Sequence, residues 1–130
     1  QPDVVYDGTQ FVVTFRECTS TCQIFAMRVS VDGAVVDGQG LSLSDYLPMT
    51  SASSYGRWSA VASFDGTDTF VTWASDHARK EICGAWFSPE GEVINSKVLL
   101  SSTTGCYHSP ALASAGNGSD NLLTVVLGTL

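Results

Sequence analysis

The sequence predicts an all-β protein built from repeated four-stranded antiparallel units. Two observations carry that prediction. YDGTQFVVTF (Tyr6–Phe15) returns as FDGTDTFVTW (Phe64–Trp73), and QIFAMRVSVDGAVV (Gln23–Val36) returns as EICGAWFSPEGEVI (Glu81–Ile94), both at an offset of 58 residues. Asp-Gly or Gly-containing turns punctuate each copy, and no stretch has helical periodicity. The equivalent pairs include Asp7/Asp65, Gly8/Gly66, Val13/Val71, Phe15/Trp73, Ile24/Ile82 and Gly33/Gly91. Agreement at that density without a gap marks a duplicated unit, the first thing to establish in an unknown chain.

Taken in order, the first unit, Pro2–Ser44, predicts strands at Asp3–Tyr6, Gln10–Arg16, Gln23–Ser30 and Ala34–Ser44, the last broken at Gly38–Gly40. The second unit, Ser59–Ser102, predicts strands at Ala60–Phe64, Thr69–Ala74, Glu81–Ser88 and Glu92–Leu100. A degraded third copy, Pro110–Leu127, predicts two more, Ala111–Ala115 and Asn121–Leu127. Asp7-Gly8 and Asp65-Gly66 join the first and second strands, and Asp32-Gly33 and Pro89-Glu90-Gly91 the third and fourth. Glycine supplies the positive φ that tight hairpin turns need. FVVT and FVTW run apolar without alternation, which suits a strand covered on both faces.

Four antiparallel strands every fifty-odd residues is the pattern of a β-propeller blade. The motif strand–FDGT–xxxVxW–loop–strand–DG–strand resembles the blades of bacterial secreted β-propeller repeats, over most of the chain. The resemblance implies a fold and leaves the function open, because such repeats serve many roles. Sialidase-type repeats follow S-x-D-x-G-x-T-W. Ser63-Phe64-Asp65-Gly66-Thr67 departs from that spacing, so no sialidase residue carries over. A β-sandwich is the alternative architecture. Ten strands make two and a half blades, and propellers close with at least four. On the propeller reading the chain is therefore a fragment, or part of an assembly that supplies the missing blades. Val12, Phe15 and Leu41 at one end, and Leu122, Leu123 and Val125 at the other, are then expected to lack a covering blade.

One hundred and thirty residues, 44% of them hydrophobic, suffice for one domain with a core. No apolar run approaches the length of a membrane span. The formal net charge of −7 argues against nucleic acid as a partner. No signal peptide is visible, and Gln1 is compatible with a mature N-terminus. Four cysteines allow three pairings, of which Cys18–Cys22 and Cys83–Cys106 keep each bridge within one unit. Cys-x3-Cys is not the usual zinc knuckle spacing. Disulfides imply an oxidising compartment, so the chain is expected to be extracellular, secreted or at a cell surface.

The turns within hairpins are short and acidic: Asp7, Asp32, Asp37, Asp65, Asp68, Glu90, Glu92 and Asp120. Calcium is the competing reading of these acids, but turn chemistry accounts for them and no EF-type loop is present. The opposite loops are longer. They carry Tyr46, Tyr55, Arg57, Trp58, His77, Arg79, Tyr107 and His108, a candidate binding rim. Trp58, Tyr55 and Tyr107 are placed to stack on a sugar, although Trp58 at a strand start suits inward packing better. Ser75-Asp76-His77 has the residue types of a catalytic triad. Adjacent residues diverge, and a triad is defined by geometry, so no catalytic residue is assigned. The expected function is a secreted non-catalytic interaction module, partnered as a homo-oligomer or with the remainder of a larger propeller. A glycan-binding propeller is the alternative and a hydrolase a distant third.

Overall fold

The computed structural model describes residues 2–19, 22–44, 60–75, 81–101, 111–116 and 120–126. Ten strands follow one another: β1 (Asp3–Tyr6), β2 (Phe11–Cys18), β3 (Cys22–Val29), β4 (Leu41–Ser42), β5 (Val61–Phe64), β6 (Thr69–Ser75), β7 (Glu81–Phe87), β8 (Val93–Ser101), β9 (Ala111–Gly116) and β10 (Asn121–Val126). They form three antiparallel sheets, β1-β2-β3-β4, β5-β6-β7-β8 and the pair β9-β10. There is no α-helix among the described residues. The fold is all-β, with two four-stranded units in the same strand order.

The two units share their hydrogen bonds as well as their topology. In the first turn, the Asp7 carboxylate accepts from the backbone N–H groups of Thr9 and Gln10, both at 2.9 Å. In the second, Asp65 accepts from Thr67 at 2.9 Å and Asp68 at 2.8 Å. These are Asx turns, in which the side chain stands in for a backbone acceptor. Gly8 and Gly66 take the left-handed region at φ 97° and 102°, where a Cβ is strained. The later turns match too. Ser30 and Ser88 each exchange backbone hydrogen bonds around the turn, and their hydroxyls accept from the N–H groups of Ala34 and Glu92.

The fourth predicted strand of the first unit shrinks to Leu41–Ser42, preceded by a single bridge between Val29 and Val35. Gly38 and Gly40, both at positive φ, break it where the sequence places the break. β8 is continuous instead, because Val93–Ser101 contains no glycine.

Strand alternation decides the packing. Val12 and Thr14 on β2, with Ile24 and Ala26 on β3 and Leu43 beyond β4, are fully buried on the inner face of the first sheet. They pack with Val71, Trp73, Cys83, Ala85 and Phe87 of the second sheet. Each large side chain so buried contributes roughly 1.5–3 kcal/mol. β6 is buried at every position from Thr69 to Ala74, as expected of a strand covered on both faces. β1 lies against β5, and β5 against β9, so the first strand of each unit neighbours the first strand of the next. The Asp3 carboxylate accepts from the Ala62 N–H at 2.9 Å across that seam.

Candidate interaction surface

The joint between the two four-stranded sheets follows one rule. The inner face of the first unit meets the face of the second that carries Val71, Trp73, Ala85 and Phe87. In the repeat these residues correspond to Val13, Phe15, Met27 and Val29. The first unit therefore has the same kind of face as the one buried in the second, but turned outward.

That outward face is apolar and only partly covered, with the backbone at Gly40 lying against Phe15 and Met27. Val4 (57% exposed), Tyr6 (48%), Phe11 (38%) and Val35 (52%) stand on it. Val13, Phe15, Phe25, Met27 and Val29 are only half-buried there. Phe15 and Phe25 stack with ring centroids 5.5 Å apart, and Tyr6 tilts onto Phe11 at 5.3 Å. The contrast at equivalent positions is sharp: Trp73 and Ala85 are 0% exposed and Phe87 1%. Contiguous apolar surface left open on a sheet face normally marks an interface.

The expectation for the uncovered end is corrected here. Val12 is fully buried and Leu41 packs against the core, while Phe15 alone of the three lies on the open face. Val12 and Phe15 are three apart on a strand and so point to opposite sides. The side chains of Leu122, Leu123 and Val125 lie outside the described set.

A polar cluster fastens the joint at its rim. Arg28 pairs with Asp37, its Nε 2.9 Å from Oδ1, and its backbone N–H donates to Oδ2 at 2.7 Å. Arg28 Nη1 and Gln10 Nε2 both donate to the Pro89 carbonyl of the second unit, at 2.9 and 2.7 Å. The guanidinium packs close against Gly91: a Cβ there would sit 2.6 Å from Arg28 Cζ.

The local field follows from these contacts. Burial pushes the Asp37 carboxyl up, but the hydrogen bonds and charge of Arg28 outweigh it and hold it below the usual carboxylate range. Burial likewise pushes Asp7 up, and the donors of Gln10 and Thr9 win, keeping it low. Hydrogen bonding to Asp37 raises Arg28, burial opposes it, and the charges of Asp7 and Glu90 add to the rise. At Asp68 nothing compensates: burial, then Asp65 and Glu90, push its carboxyl up.

This cluster was not singled out from sequence. Arg28 corresponds to Trp86 and Asp37 to Asn95, so both members of the pair depart from the repeat. That double departure is the signal. In the second unit Trp86 tilts onto Phe70 at 4.5 Å, and the Lys97 ammonium lies 5.0 Å from its ring centroid.

Of the sequence-derived sites, Cys18 and Cys22 form a disulfide that closes the β2–β3 hairpin, where they are paired residues. Cys83 is buried on β7, and its expected partner Cys106 lies outside the described residues. So do all eight rim residues, Tyr46, Tyr55, Arg57, Trp58, His77, Arg79, Tyr107 and His108. Among the described residues no group of three or more His, Cys, Asp or Glu is arranged to hold a metal ion. No helix among them is long and apolar enough to cross a membrane.

Comparison with known proteins returns no matching family model, no matching curated protein and no matching solved structure.

Proposed function

We propose that this chain is a non-catalytic interaction module of propeller type, secreted or displayed outside the cell, which assembles through the faces of its repeat units. One observation carries the reading. Two equivalent sheet faces differ in cover: the face with Trp73 is sealed by a neighbouring unit, and the face with Phe15 is only partly covered. A protein that folds to leave Phe15, Phe25 and Met27 half-exposed gains by covering them further.

Further features support propeller blades over a β-sandwich. Among the described residues the sheets number three rather than two. Equivalent first strands, β1, β5 and β9, run side by side, as they do around a propeller axis. The joint is face to opposite face, so it can recur from unit to unit. The Cys18–Cys22 disulfide supports an oxidising compartment. Calcium at the acidic turns and a glycan at the aromatic rim remain secondary proposals, tested by calorimetric titration and by binding of Trp58 and Tyr107 variants.

The assembly reading is tested by sedimentation over a micromolar concentration series, comparing the chain with Phe15→Asp. Association that Phe15→Asp abolishes is expected. A monomer at every concentration, with melting and solubility indifferent to Phe15→Asp, contradicts it.

A further inference from the structure

We infer that the open face of β1–β4 is the docking site for another four-stranded unit of this same repeat, which lays its inner face on Phe15 and Met27 and sets an arginine against Gly33. The inference rests on the assembly reading above and names its partner.

The structure contains one worked example of how such a face is covered. In the second unit the acceptor face presents Trp73 and Ala85, and the cover is the inner face of the preceding unit, Val12, Thr14, Ile24 and Ala26. Phe15 and Met27 hold the positions of Trp73 and Ala85. The complementary surface is therefore the one the repeat itself carries. A joint between unlike faces does not consume the site it copies, so each added unit exposes the next.

The turn supplies the orientation. At Gly91 the space a Cβ would take is filled by the Arg28 guanidinium, which also reaches the Pro89 carbonyl. At the equivalent Gly33 nothing stands within 4 Å of that point. Val31 offers its carbonyl at the position of Pro89, and Asp32 its carboxylate at the position of Glu90, which helps hold Arg28 charged. The docking unit is thus expected to bring a cation to the turn and branched aliphatic side chains to the sheet. A symmetric pairing of two open faces satisfies the apolar part alone and leaves the turn without its cation.

The experiment extends the chain at its N-terminus by a second copy of residues 2–59, joined directly to Pro2 in place of Gln1. This keeps the natural spacing of 58, so the added unit precedes β1–β4 as β1–β4 precedes β5–β8. Met27→Cys in the original unit is then read by thiol labelling and peptide mass mapping. In the unextended chain labelling is expected to be fast. In the extended chain it slows on the order of a hundredfold, through local protection. Gly33→Asn in the original unit, chosen because asparagine tolerates positive φ, restores fast labelling. Equal labelling in the two chains overturns the inference, with strand content increased and Trp73 still buried by fluorescence. The unit 1–unit 2 joint then survives and only the partner is wrong. An extended chain that will not fold also counts against it, since the added unit has the sequence and spacing of one that folds here. Exposure of Trp73 in the unextended chain defeats the assembly reading itself.

Discussion

Thr14 and Thr72 are equivalent residues, fully buried, and the hydroxyl of neither has a hydrogen-bond partner among the described residues. A buried hydroxyl left unpaired costs about 1–3 kcal/mol. Thr14→Val, which keeps the branched shape, is therefore expected to leave stability unchanged or raise it by about 1 kcal/mol, read by urea denaturation. A loss above about 1 kcal/mol would mean that the hydroxyl is satisfied. The turn acids predict a pH dependence. Asp7 and Asp37 have depressed carboxyls, so each contributes stability that is complete above the unfolded carboxylate range and is lost as pH falls through the folded value. Asp68 has the opposite sign: its raised carboxyl opposes the folded state once ionised, and protonation relieves it. Asp7→Asn should lower the melting temperature at pH 7 and flatten its fall below about pH 4. An unaltered acid limb would show that these hydrogen bonds are not what depresses the group. Gly66→Val, at φ 102°, should cost at least about 1 kcal/mol, with an unchanged melting temperature as the contrary result.

At the scale of a strand, equal sequence positions have unequal environments. β6 is sealed on both sides and β2 on one, so Trp73→Ala should cost about 3–5 kcal/mol and Phe15→Ala much less. Equal costs would mean that the first sheet is covered after all. Strand positions, turn types and the repeat were legible in the sequence because each rests on local chemistry: Asp-Gly turns, apolar runs and a constant offset. The break at Gly38–Gly40 was legible for the same reason. The assignment of faces was less so. Val12 and Leu41 belong to the joint and Phe15 to the open side, and grouping them by hydrophobicity ignored the period of two. The Arg28 cluster was illegible for another reason. Its acceptor, the Pro89 carbonyl, is a backbone atom 61 positions away, and no side-chain pattern announces it. Packing hides in composition as well. Gly84, where the first unit has Ala26, has no room for a Cβ because Phe70 and Leu99 lie 2.9 and 2.8 Å from that point. Phe70 replaces Val12, so bulk moved from one strand to its neighbour between the copies.

At the scale of the whole molecule, the face of β5–β8 that carries Trp73 is covered by the first unit, and the equivalent face of β1–β4 is partly open to water. The central claim is that Phe15 and Met27 are half-exposed equivalents of the fully buried Trp73 and Ala85. Hydroxyl-radical footprinting with mass mapping tests this most directly, at a dilution where light scattering reports a monomer. Met27, Phe15 and Phe25 are expected to oxidise faster than Trp73, and Met27 and Phe15 to slow as concentration rises. Met27 and Phe15 as protected as Trp73 in the dilute monomer would contradict it.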